Sequence, residues 1–297
     1  MRILPFLIYA LGVFVAAAIL VYPTWLLVQA AGATSIPFHK LCFRLLEALA
    51  LLGLWPLMRY LGLNNLAEWG FARGAVRASR TRGLVNGFLV GTGLLSGIVV
   101  ILLAAEIREL RVELSVSPGA IADMVSKAVL AAFVIALVEE TWFRGALQRA
   151  LETRFQWVGA VTATALLYGL VHFVRPDVQV PVAEVGWSSG VTVIAGSFGR
   201  FLNPEISDSL AALVAVGVLL ALVRHHTGRI WECIGLHAGF VVVIRLTRKL
   251  TQVQLESSQA WLVGDFDGVI GWLGFAVFIL AIIAYWRLKM SDSFANA

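Results

Sequence analysis

The sequence predicts an all-α protein: a polytopic transmembrane helix bundle of about eight spans, with both termini in the cytoplasm. Three observations carry this. Of 297 residues 60% are apolar and only 14% are charged, with a mean hydropathy of +0.86, whereas soluble domains average about 45–50% apolar and about 25% charged. The apolar residues gather into runs close to the length of about 20 residues that spans a hydrocarbon core of about 30 Å. The basic residues, which give a net charge of +5 and a pI of about 9.6, sit in short loops between those runs. That is the pattern of membrane orientation and of contact with anionic lipid headgroups, not of nucleic-acid binding. With 27 Gly, 8 Pro and 2 Cys, collagen-like, disordered and disulfide-scaffold classes are excluded. Cys42 and Cys233 each open an apolar run and read as buried or lipid-facing thiols.

In chain order the apolar segments fall at roughly 3–31, 42–62, 84–105, 119–143, 158–174, 209–224, 230–248 and 268–286. The first follows Arg2 and ends near Ala31-Gly32-Ala33, but its run exceeds a signal h-region of about 7–15 residues, so a retained helix is expected. Residues 66–82 mix aromatics with arginines and suit a helix lying along the inner surface. The loop 175–208, Gly-rich and moderately apolar, reads equally as a lid dipping back into protein or membrane and as a plain loop. These features divide the chain into 1–118, with its membrane helices and basic segment, 119–248, with the polar residues within spans, and 249–297, an outer loop and last helix. Placing the arginine-rich 59–82 loop inside puts thirteen of the 23 Lys and Arg residues in the cytoplasm and nine outside, with Lys127 in a span. No inverted repeat of the transporter kind is visible.

Ionisable residues within spans are costly, so each is a functional hypothesis. Glu140 and Arg144 form an i,i+4 pair with the acid first, the favourable order. Glu139 is rotated from Glu140 by about 100° and has no local cation. A carboxylate poised by burial is what a general base near neutral pH requires. The competing reading is an interfacial cluster snorkelling to the surface. The fifth segment carries Tyr168 and His172, again i,i+4. An antiparallel hairpin turning at Arg154–Trp157 brings Glu139 and His172 to equal depth, about 24 Å from the turn at 1.5 Å per residue. His237, two turns into the seventh segment, reaches the same level. Glu232 reads as an Arg229 partner or a snorkelling group, and His39, His225 and His226 as solvated residues.

Glu139-Glu140-x-x-x-Arg144, Tyr168-x-x-x-His172 and His237, with Phe143-Arg144-Gly145 and Thr227-Gly228-Arg229-Ile230-Trp231 flanking, resemble the three motifs of the CPBP family. These are the CAAX proteases and bacteriocin-processing intramembrane endopeptidases, also called Abi. The resemblance covers roughly 119–248. It implies that Glu139 and His172 activate a water for attack on a peptide bond and that His237 serves the oxyanion. The family pairs that His with an Asn four residues on; here Val241 stands in its place, and Tyr168 replaces a more usual Phe.

The expected activity is therefore hydrolysis of a peptide bond near the membrane surface. Glu139, His172 and His237 are the catalytic set, with Glu140, Arg144 and Tyr168 in support, and no cofactor. One alternative is a zinc protease, with Glu139, His172 and His237 as ligands and one open position, although no HExxH helix exists. The other is a non-catalytic membrane scaffold, immunity factor or transporter whose buried polar cluster only holds the bundle together. Expected partners are membrane lipids and a membrane protein, or a lipidated or sorting-tail peptide, as substrate. The expected location is a bacterial or archaeal inner membrane.

Overall fold

The computed structural model describes residues 3–33, 35–71, 77–111, 117–175, 177–254, 256–264 and 266–295. It is a helical bundle. The helices are α1 (Ile3–Ala30), α2 (Phe38–Tyr60), α3 (Arg77–Ala104), α4 (Pro118–Glu140), α5 (Gln148–Glu152), α6 (Trp157–Val171), α7 (Ser189–Gly196), α8 (Ser207–Thr227), α9 (Trp231–Leu250) and α10 (Trp272–Ala295). A two-stranded antiparallel sheet joins β1 (Arg108–Leu110) to β2 (Thr251–Val253). Among the described residues six helices are long and apolar enough to cross a membrane: Leu4–Ala30, Phe38–Tyr60, Ser79–Ala104, Pro118–Glu152, Pro204–Thr227 and Trp272–Met290. All eight apolar segments are helical, but two fall outside that set. The α6 helix has 15 residues, about 22 Å of rise, and α9 carries Glu232, Arg245, Arg248 and Lys249.

The chain forms two compact units. The first comprises Met1–Asn64 and Leu170–Pro204. Its core is Ala17, Ala18, Val21 and Trp25 of α1, Phe38 and Cys42 of α2, and Val193 and Ile194 of α7. Gly190 of α7 abuts the Ala18 carbonyl so closely that no Cβ fits there. The 175–208 stretch is thus not a plain loop: α7 within it is packed into this core. Leu27 and Leu52, each more than 70% exposed, belong on the lipid-facing side of such a bundle.

The second unit comprises Asn65–Gly169 and Glu205–Ala297. The α4 helix opens on Ser117, whose side chain accepts from Ala120 N, followed by Pro118 in the first turn, a start that satisfies an orphan N–H and uses a preset φ. Its buried residues are Ala128, Ala132, Ala136 and Glu140, a stripe of small side chains ending on a carboxylate. Ala132 and Ala136 of that stripe pack with Ile230, at the N-cap of α9, and with Ile234, Ala238 and Val242 of α9. The other side of α9 lies on α3 through glycines. A Cβ on Gly87 would strike the Glu232 carbonyl and one on Gly91 the Leu236 carbonyl, while Gly235 and Gly239 abut the Leu84 and Phe88 carbonyls. Small residues at four-residue spacing let helix backbones touch, and this seam fixes the helix that carries His237. At the other end of α9, buried Arg108 donates to Thr251 Oγ1 (2.7 Å), Thr251 O (3.1 Å) and Gly268 O, tying the sheet together.

Residues 66–70 form turns and 77–82 open α3, so the described parts of the basic segment are not a separate surface helix; 72–76 lie outside the described residues. Trp69 is buried against Gly145, and Gly70 adopts φ +91, its carbonyl accepting from Ile230 N (3.4 Å). Burial of Trp69 pulls this stretch into the unit.

Candidate active site

Directly after Glu140 the α4 helix widens into a π-helical stretch, Thr141–Leu147. At its start the Thr141 hydroxyl donates back to Leu137 O (2.6 Å), alongside the residue's own N–H. Five consecutive residues of this stretch, Phe143–Leu147, are buried, so protein surrounds it on every side. Helical irregularities of this kind concentrate at functional sites.

Within this enclosure Arg144 Nη1 donates to Glu140 Oε1 at 3.0 Å, both side chains fully buried. Arg144 Nη2 donates to Gly217 O of α8 (3.3 Å). The guanidinium carbon lies 4.4 Å from the Tyr168 ring centroid, a cation–π arrangement strengthened by desolvation. Tyr168 in turn meets the His237 ring edge-on at 6.1 Å. It is 2% exposed.

The same Glu140 Oε1 lies 2.8 Å from His237 Nδ1. A carboxylate only accepts, so Nδ1 carries the proton in this pair and Nε2 is turned to the other side. There it lies 3.9 Å from Glu139 Oε2. That gap is too long for a direct hydrogen bond. Glu139 is 30% exposed in its side chain while Glu140 is wholly buried. The two adjacent carboxylates thus meet different surroundings: Glu140 is locked between Arg144 and His237, while the Glu139 side chain is partly exposed although its Oε2 is itself buried.

His172 stands in the turn just past the end of α6, half-buried, its carbonyl accepting from Arg175 Nε (3.2 Å). It falls in the first compact unit, whereas Glu139, Glu140, Arg144, Tyr168 and His237 fall in the second. Val241 packs among apolar neighbours of the α4–α9 core. Glu232 pairs with Arg229, which also donates to Ser79 Oγ (2.8 Å). The polar residue that motif reasoning passed over is Gln148. It is fully buried, donating to Glu152 Oε1 and Ala221 O, both at 3.0 Å. Its signal was its place in the four-residue series after Glu140 and Arg144. Among the described residues no group of three or more His, Cys, Asp and Glu is arranged to hold a metal ion.

A multi-pass helical membrane protein with a buried Glu–Arg–His cluster at a helix irregularity is the class that fold and site define. Residues 121–243 match the family model described as Type II CAAX prenyl endopeptidase Rce1-like. The matched stretch runs from α4 into α9 and contains every residue of the cluster, and the family model describes the same CAAX protease family that the three motifs resemble. It supports an integral, multi-pass intramembrane protease of CAAX type. No curated protein and no solved structure matches the chain significantly.

Proposed function

We propose that the chain is a glutamate-type intramembrane endopeptidase acting on a membrane-anchored substrate, a lipidated C-terminal peptide or a sorting tail. The observation that carries the reading is the relay Arg144–Glu140–His237–Glu139, with successive separations of 3.0, 2.8 and 3.9 Å. A water between Glu139 Oε2 and His237 Nε2 loses a proton to Glu139, and its oxygen attacks the scissile carbonyl. Glu140 holds the His237 ring by Nδ1–H, so that Nε2 is aimed at the reacting atoms; it takes up the proton that Glu139 removed from the water and passes it to the leaving nitrogen, which restores both groups. Arg144 holds the Glu140 carboxylate in place. His172, which the resemblance implies, falls in the other compact unit and takes no step in this scheme. The prenyl group in the matched family's description supports a lipidated peptide as the first substrate to try.

The test uses purified full-length protein in detergent micelles and an internally quenched prenylated peptide ending in a CAAX sequence. Cleavage by the wild type and none by folded Glu139→Gln is the expected result. Cleavage at the wild-type rate by Glu139→Gln overturns the mechanism.

A further inference from the structure

The cluster does not end at Arg144. At the same four-residue interval along the π-to-α segment come Gln148 and Glu152. Gln148 is fully buried, and burying an amide is costly unless it is bonded. Its Nε2 reaches Ala221 O, one turn of α8 beyond the Gly217 carbonyl that accepts from Arg144. Two successive turns of the segment are therefore pinned to two successive turns of α8. The same Nε2 donates to Glu152 Oε1, which lies 3.6 Å from His225 Nδ1 where the side chains become partly exposed. Gln148 Oε1 and Arg144 Nε are both buried, and neither has a hydrogen-bond partner among the described residues. One is an acceptor, the other a donor, and they lie one turn apart on one face. On α6, buried Thr164 sits one turn before Tyr168, the residue that stacks on the guanidinium.

We infer that Gln148 is a positioning residue: it sets the depth and orientation of Arg144, and through Glu140 the orientation of the His237 ring. This rests on the endopeptidase reading only in saying what the ring is oriented for. Without the amide, the guanidinium keeps its bond to Gly217 O but loses the register that the Ala221 bond imposes. The Glu140 carboxylate then follows it, and Nε2 of His237 turns away from Glu139.

The experiment reads the ring directly. Full-length protein is labelled with 13Cε1-histidine in detergent micelles; of its five histidines, His237 is identified by the resonance lost in His237→Gln. Gln148→Leu, which keeps the volume, and Gln148→Glu, which keeps an acceptor but loses the amide donor, are each expected to displace the His237 resonance. Leu151→Ala, a cavity in the same short helix, is expected to lower the melting temperature and leave that resonance in place. On the quenched prenylated peptide, Gln148→Leu is expected to lower kcat about tenfold with KM unchanged, the signature of a misplaced group and not of lost binding. An unmoved His237 resonance in whichever Gln148 variant folds overturns the inference, as does an equal displacement in Leu151→Ala. If the wild type fails to cleave the peptide, the endopeptidase reading fails on that probe while the resonance still decides the role of Gln148.

Discussion

Glu140 and His237 meet at 2.8 Å across 97 residues of chain, in a place where neither side chain is more than 5% exposed. The carboxylate that motif spacing pairs with Arg144 is therefore shared, and the imidazole is held by one nitrogen with the other left for chemistry. This division separates the consequences of mutating the two adjacent glutamates.

Glu139→Gln keeps the size and one acceptor oxygen and removes the proposed base. A positioned general base contributes about 10²–10⁴-fold, so cleavage should fall by that much while the detergent melting curve barely moves. Glu140→Gln should lower both activity and melting temperature. Equal stability loss in the two variants would show that the carboxylates are not in different roles.

Arg144→Ala strands a buried carboxylate. Breaking a buried pair costs about 3–5 kcal/mol. The double variant Glu140→Gln with Arg144→Gln removes both charges and should recover a good part of this, although the bond to His237 weakens. Chemical or thermal unfolding of both singles and the double in detergent checks it. A double as unstable as the two singles summed would mean that the residues are not coupled.

The α3–α9 seam discriminates between glycines of one helix. Gly87→Ala pushes a methyl into the Glu232 carbonyl, whereas Gly93, also in α3, has open space around it. Overpacking typically costs about 1–3 kcal/mol, and Gly→Ala in an unhindered helix gains about 0.5–1 kcal/mol. Melting temperatures should therefore move in opposite directions. A neutral Gly87→Ala would disprove the close approach.

Metal dependence is a separate measurement. Dialysis against a strong chelator, with elemental analysis before and after, should leave activity intact and find zinc well below one per chain. Stoichiometric zinc lost together with activity would instead support the zinc protease.

Much of this site was legible in the sequence, because its first link is local. Glu140 and Arg144 are one helical turn apart, and helix geometry alone puts them on one face. The hairpin turn is also where the sequence put it, with α6 starting at Trp157. The Glu140–His237 bond was not legible, since it depends on how α9 seats between the alanines of α4 and the glycines of α3. The π-helical stretch escaped because one widened stretch of helix leaves no periodic trace in the sequence. Depth counting carried the fifth helix through His172, one residue beyond its actual end, since apolar character continues through Phe173 and Val174 after the helical hydrogen bonds stop. The short sheet was missed because three-residue strands in polar loops carry no hydrophobic alternation.

The glycine seam also bears on motion. Side chains that interdigitate can repack by changing rotamers, but along Gly87, Gly91, Gly235 and Gly239 backbone lies on backbone and nothing there can rotate. Sliding α9 along α3 would require whole turns to climb over carbonyl oxygens, so the two helices travel as one piece. The His237 end of the relay is thereby anchored against the breathing of the bundle. Any opening that admits a peptide must come from elements other than this pair.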